Sequence, residues 1–330
     1  MSGRNYVKFD FNNIVLTDMW DKKIVKVKDL LSDFISTSES AIFDKIYMPD
    51  KLNFYQATCK LTSLDEIYIL LLFVNSENLV DESLVNNLYN HLITNTTFCN
   101  LVLCYQITTS STKPKATDLI YFPFNNRSFQ ICESIEDSNE KKYKIYISPN
   151  SFTQSNYSAM IQVYCLLNTL PKTDSLHYYG RGMTPVLIYL NNNYKSLFGY
   201  CGCKIAYEDG IKTIEESKLS NINLILDKSR DEFFENIKKE EESYTHSAID
   251  SKESYTHSAI ISASRNGFGE LDKVIEICKP IKKCNLVYIA CNMKSFLKEI
   301  KDLPITYTIL GEVDMFPGTA FLETIIQINL

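Results

Sequence analysis

The stretch LFGYCGCKIAYEDGIKTIEESKLSNINLIL, residues 197–226, decides the fold. It opens on a short apolar run, Leu197–Tyr200, and closes on another, Ile222–Leu226, with a helical stretch, Asp209–Lys218, between them. An apolar run of four or five residues makes a buried strand, and a helix joining two such strands returns the chain to begin a parallel neighbour. The same alternation continues on both sides. Further short strands are expected at Val186–Tyr189, Ala259–Ser262 and Asn285–Ile289, and helices at Ser158–Leu170 and Glu270–Cys278. Strands alternating with helices predict an α/β class with a doubly wound, mainly parallel sheet.

Before Pro149 the pattern is smaller. Ile67–Val74, Glu82–Ile93 and Asn100–Ile107 read strand, helix, strand. Ile120–Phe122 and Phe129–Cys132 are expected to pair as a hairpin, with the polar stretch Glu133–Lys141 a solvated turn and Lys142–Ile147 a further strand. With a boundary near residue 150, the chain divides into an amino-terminal segment 1–60 of no recognised role, a central α/β domain 61–148 and a larger α/β domain 149–330.

Composition narrows the function classes. The 330 residues are 45% hydrophobic and 22% charged, ordinary for a globular chain. Ten cysteines lie scattered without paired CxxC modules, which suits small apolar core residues in a reducing compartment. One CxC, Cys201-Gly202-Cys203, lacks partner ligands, so no metal is expected. The polar start MSGRNYVKFDFNN carries no apolar signal core, and Ile67–Val74, the longest apolar run, is too short for a bilayer. No membrane association is expected, and the cytoplasm, with the nucleus as second choice, is the expected location. A net charge of −6 argues against tight independent RNA binding, because neutralised phosphates supply most non-specific affinity.

Within 231–260 the octapeptide ESYTHSAI occurs twice, at Glu242–Ile249 and Glu253–Ile260. A duplication that lengthens a surface loop explains it better than a pair of metal or RNA ligands at His246 and His257, because the flanking KKEEES is a solvated charge run and long loops are tolerated cheaply. The second copy runs directly into the strand expected at Ala259.

Three collinear segments carry chemistry: YISPNSFTQSN at 146–156, LVYIACN at 286–292 and VDMFPGTAFLET at 313–324. Together they resemble the uracil-C5 RNA methyltransferase family, the tRNA (uracil-5-)-methyltransferases, over roughly residues 60–330. The resemblance implies a Rossmann-like, S-adenosyl-L-methionine (SAM) dependent methyltransferase fold for the second half and RNA binding by the central domain. It also implies SAM as cofactor and RNA, a tRNA foremost, as partner. Cys291 then stands where the family has its nucleophile and Glu323 where it has its base. Gln154 is implied at the cofactor, and Phe152, Asn156, Arg265 and Asn292 at the substrate. Lys113, Lys115, Arg127, Lys141 and Lys142 are available for phosphates, although basic surface residues also serve solubility. The chemistry suits the residue types. Uracil C5 is a poor nucleophile until a thiolate adds to C6, and a base must later take the C5 proton so that the thiolate can leave.

The cofactor side departs from the family pattern. In LHYYGRGM, residues 176–183, Gly180 and Gly182 match the glycine turn, but Leu176 stands where an acid is expected and Asp174 is offset by two. Cys201 occupies the place of the acid that grips the ribose hydroxyls, and a thiol lacks a carboxylate's two strong acceptors. The family's Asp-Pro-Pro-Arg reads Ser262-Ala-Ser-Arg265, followed by Asn266-Gly267, and Phe321 stands where His is common. Two readings follow: uridine C5 methylation of structured RNA, or a catalytically inactive relative that has lost SAM and binds RNA or protein as an assembly subunit.

Overall fold

The computed structural model describes residues 22–38, 53–74, 82–108, 120–122, 129–149, 151–154, 156–245, 257–279, 284–315, 319 and 321–330. The chain forms two compact units, Met1–Glu133 with Ile147–Pro149, and Ser134–Tyr146 with Asn150–Leu330.

In the first unit β1 (Asn53–Leu61), β2 (Glu66–Val74), β3 (Asn100–Thr108) and β4 (Ile120–Phe122) form a four-stranded sheet in that order. β2 and β3 are parallel, with the intervening helix α2 (Glu82–Asn95) as crossover. The continuous apolar run of β2 is explained by burial on both faces. Ile67, Ile69, Leu71 and Phe73 enter a core with Val85, Leu88 and Leu92 of α2. The amino-terminal segment contributes Val27 and Leu31 of α1 (Lys22–Thr37) to that core.

Two expectations fail here. Ile120–Phe122 pairs antiparallel with β3, not with the segment that follows it. That segment, β5 (Ile131–Glu136), pairs instead with β6 (Lys142–Ile147). Glu133–Lys141 is therefore strand at its start and turn only at its end, and two of its acids are buried because they have partners. Glu133 accepts the Ser63 N–H at 3.0 Å, and Asp137 accepts the N–H groups of Asn139 and Lys141 at 2.8 and 3.0 Å. Counting charges mistook hydrogen-bonded acids for solvated ones.

The second unit is built on a seven-stranded sheet. Its strands are β7 (Ser175–Tyr179), β8 (Ser196–Cys201), β9 (Ile222–Leu226), β10 (His257–Ser262), β11 (Cys284–Ala290), β12 (Thr306–Val313) and β13 (Glu323–Asn329), in the order β12-β13-β11-β10-β7-β8-β9. β13 alone among them runs against its neighbours. Helices α3 (Tyr157–Asn168), α4 (Met183–Leu190) and α5 (Lys204–Ser217) alternate with the strands, as do α6 (Asp231–Thr245), α7 (Leu271–Cys278) and α8 (Met293–Ile300). Alternation along β8 separates the two faces. A Cβ on Gly199 would meet Leu187 and Met183 of α4, while Tyr200 packs edge-on against Phe233 of α6.

The expected strand Val186–Tyr189 is instead part of α4. Its apolar run is continuous because Val186, Leu187, Ile188 and Leu190 are all buried, and a short apolar run has no period that separates strand from helix. Pro185, in the first turn, gives up an N–H that would lack a helical partner anyway. The second octapeptide copy supplies the start of β10, with His257 fully buried, whereas His246 lies outside the described residues.

Candidate active site

Strand register brings Cys291 and Glu323 together. Ala290, the last residue of β11, pairs with Thr324 of antiparallel β13. The residue leaving β11 and the residue opening β13 therefore meet at one edge of the sheet. The Cys291 Sγ donates to Glu323 Oε1 at 3.1 Å and also lies 3.4 Å from the Ala263 carbonyl oxygen. Glu323 is 3% exposed, and its second oxygen has no hydrogen-bond partner among the described residues. Burial raises the Glu323 carboxyl to about 7, against the lowering influence of the Cys291 hydrogen bond and the Arg265 charge. The Cys291 thiol is pushed well above its ordinary range, by burial first and by the Glu323 charge second, while Arg265 pulls it down. The pair is thus a thiol held protonated by burial beside a carboxyl whose own ionisation lies near neutral pH.

A narrow pocket of about 320 Å³, its mouth included, opens beside the pair. That figure takes in open solvent, and the enclosed space is far below the roughly 300–1,000 Å³ usual for ligand sites. Glu323, Gln154, Gly182 and Ser262 line it, with Tyr164 of α3 and Tyr178 of β7. Tyr178 is hydrogen-bonded to Ser262, and burial chiefly raises its hydroxyl pKa. Tyr178 was not among the expected site residues, although strand alternation sets it on the opposite face from Tyr179, which packs against Phe233. Tyr164 and Met315 carried no such signal.

The remaining predicted residues are distributed as follows. Gly180 has φ +148, and a Cβ there would fall 2.7 Å from both the Cβ and the carbonyl oxygen of Ser262, so only glycine fits between β7 and β10. Gly182, at φ +70, caps α4 with Phe152 3.4 Å from where its Cβ would stand. Phe152 itself is 37% exposed. Asn156 is the amino-terminal cap of α3, its Oδ1 accepting from Ala159 N at 3.1 Å. Asn292 caps α8 through Lys294 N and donates to the Arg265 carbonyl at 3.1 Å. Arg265 stacks over the Phe321 ring at 4.8 Å. Cys201, at the end of β8, is buried with Sγ toward the Cys203 carbonyl at 3.5 Å and does not line the pocket. Asp174 precedes β7, at the opposite end of the strand from Gly180, and pairs with Lys195 at 2.9 Å, so it cannot stand in for the missing acid at Leu176. Lys113, Lys115 and Arg127 lie outside the described residues; Lys141 sits 4.9 Å over the Tyr143 ring and Lys142 pairs with Glu136 at 3.3 Å. Among the described residues no cluster of three or more His, Cys, Asp or Glu is placed to hold a metal, and no helix is long and apolar enough to cross a membrane.

The fold is that of the Rossmann-like methyltransferases. The chain is similar to the crystal structure of Pyrococcus abyssi tRNA (uracil-54, C5)-methyltransferase in complex with S-adenosyl-L-homocysteine. The TM-score is 0.62 at 16% identity, covering 97% of this chain and 71% of that one. A Methanocaldococcus jannaschii Trm5 in complex with adenosine has a TM-score of 0.48 at 13% identity, over 83% and 72% of the two chains. Residues 129–329 match the tRNA (Uracil-5-)-methyltransferase family, and the chain belongs to that family. An uncharacterized RNA methyltransferase of Bacillus anthracis is 33% identical over 61 residues, 18% of this chain and 13% of that protein's length.

Proposed function

We propose that the chain methylates C5 of a uridine in structured RNA, a tRNA foremost, using SAM. The observation that carries this reading is the 3.1 Å contact between Cys291 and Glu323, the second of which lines the pocket. Family membership supports the substrate class.

The residues present fit the methionine end of SAM. Gly182, Gln154 and Glu323 line the pocket, Gln154 and Glu323 with polar groups, while Ser262 and Phe152 stand against the places where a Cβ on Gly180 or Gly182 would fall. When bound, SAM supplies the electrophilic methyl group. The chain's own residues do the rest. Cys291 gives its proton to Glu323, which releases it to solvent. The thiolate then forms a bond to uracil C6, and the C5–C6 electron pair moves toward C4 and O4, making C5 the nucleophile. After methylation Glu323, as carboxylate, takes the C5 proton; the C5–C6 double bond re-forms and the sulfur leaves. Arg265 holds positive charge beside both groups, and the Ala263 carbonyl orients the thiol. The target base must leave its stack to reach the sulfur, and Phe152, partly exposed beside Gly182, offers a ring to stack on. The α/β layer of about residues 60–147 holds the RNA.

An RNA carrying 5-fluorouridine tests the mechanism, because fluorine replaces the proton that Glu323 removes. Wild-type protein with SAM is expected to form a denaturation-resistant protein–RNA adduct, and Cys291→Ala none. Absence of adduct with wild type, or an active Cys291→Ala protein, refutes the mechanism.

A second reading, the inactive RNA- or protein-binding relative, draws support from Cys201. Its buried thiol gives the ribose hydroxyls no carboxylate to grip. That reading expects calorimetry to find tRNA binding without SAM binding; heat from SAM titrated into the protein would exclude it.

A further inference from the structure

The loop that follows β10, residues 263–269, meets the reactive pair through the Ala263 carbonyl on the Cys291 sulfur, and the charge of Arg265 acts on the same thiol. Phe268 anchors the loop in the core against Tyr179 and Phe233, and a second set of contacts comes from one side of α8 and its cap. Asn292 Nδ2 and Ser295 Oγ both donate to the Arg265 carbonyl, at 3.1 and 2.7 Å. Two turns further on, Glu299 Oε1 accepts the Gly269 N–H at 2.9 Å. Tyr288, buried on β11, accepts the Phe268 N–H at 3.1 Å, and its hydroxyl lies 3.5 Å from Glu299 Oε2. Positions 292, 295 and 299 follow helical spacing, so one helix face grips the loop from end to end. The fit is tight: a Cβ on Gly267, at φ +90, would stand 1.8 Å from Glu299 Oε1. Glu299 is neither in the pocket nor in contact with the thiol, so its partners in this loop are what it acts on.

We propose that Glu299 is a positioning residue that clamps the 263–269 loop and thereby fixes Arg265 and the Ala263 carbonyl against Cys291, setting the reactivity of the sulfur. The proposal rests on the catalytic reading of Cys291 but is measured without catalysis. Burial raises the Glu299 carboxyl, while the backbone N–H groups of Gly269 and Phe268 and the nearby Arg230 charge favour its ionised form.

The experiment follows the alkylation rate of Cys291 by iodoacetamide against pH, read from the peptide that carries it because the chain has ten cysteines. It needs neither RNA nor SAM, so it reports on the clamp even if methylation is never observed. In Glu299→Ala the pH midpoint of alkylation is expected to move upward and the rate at pH 8 to fall severalfold. Arg265→Ala should shift it the same way, and the double variant should add nothing further, since one route carries both effects. Glu299→Gln keeps an oxygen for Gly269 and should alkylate like wild type. Gly267→Ala, which forces the loop off Glu299, tests the same contact should Glu299→Ala fail to fold. An unmoved profile in Glu299→Ala or Gly267→Ala, or shifts that add in the double variant, would overturn the proposal.

Discussion

Glu323 shows how one buried carboxyl links the site to stability. Burial lifts it from 4.5 to about 7, so the native state holds a proton that the unfolded chain releases earlier. The stabilisation carried by that proton is complete below about pH 4.5 and is lost as pH rises through 7, a difference of about 3 kcal/mol. Glu323→Gln has no proton to lose. Calorimetric melting at pH 5 and pH 8 should show a smaller drop between the two for the variant than for wild type, by several degrees; equal drops would show that the carboxyl ionises freely in the fold. At this scale the sequence was legible for Cys291 and Glu323, because both sit in distinctive segments. Asn156 and Asn292 were legible as types but not as contacts. Each spends its side-chain oxygen on a helix cap, and no spacing in the chain distinguishes a capping amide from one facing a ligand. Tyr178 was passed over because its neighbours in LHYYGRG drew attention only to the glycines.

Elements were legible where period or length was decisive. The parallel β2–α2–β3 unit and strands β8 to β11 fall where apolar runs alternate with helical stretches. Errors arose where burial removed the pattern, as in α4, or where a strand's partner was chosen by sequence proximity, as for Ile120–Phe122. The duplicated octapeptide poses a different question, since two nearly identical segments compete for one strand. The ten residues ending at Ser262 differ from those ending at Ser251 only at Ile261, where the earlier copy has Asp250. Ile261 is fully buried in β10 between β7 and β11. Sliding the earlier copy into that place would bury an unpaired carboxylate, a cost of several kcal/mol. Asp250→Ile removes that penalty. It should give two registers, seen as doubled amide resonances for residues of β7 and β11; a single set would mean that something other than Asp250 selects the copy.

For the whole molecule, charge constrains how it would meet RNA under the proposed function. With a net charge of −6, affinity must come from a few local phosphate contacts on an otherwise repelling surface. Raising salt from 50 to 200 mM should weaken tRNA binding about tenfold for each pair of phosphates contacted. Filter binding across that range counts the contacts, and a flat salt response would point to recognition that bypasses the backbone. The doubly wound sheet was readable from the alternation of elements. The reversal of β13 was not, because direction is set by pairing across the sheet and leaves no mark on an apolar run such as Ile325–Ile328. That reversal has a consequence for assembly. A strand laid parallel to β11 would carry its first residue to the far end of the sheet, some 20 Å away for seven residues at about 3.3 Å each. Because β13 returns against its neighbour, its first residue stands beside the sulfur. The Cys291–Glu323 contact therefore depends on β13 pairing antiparallel with β11, and a molecule lacking residues 323–330 would leave the thiol without that carboxyl.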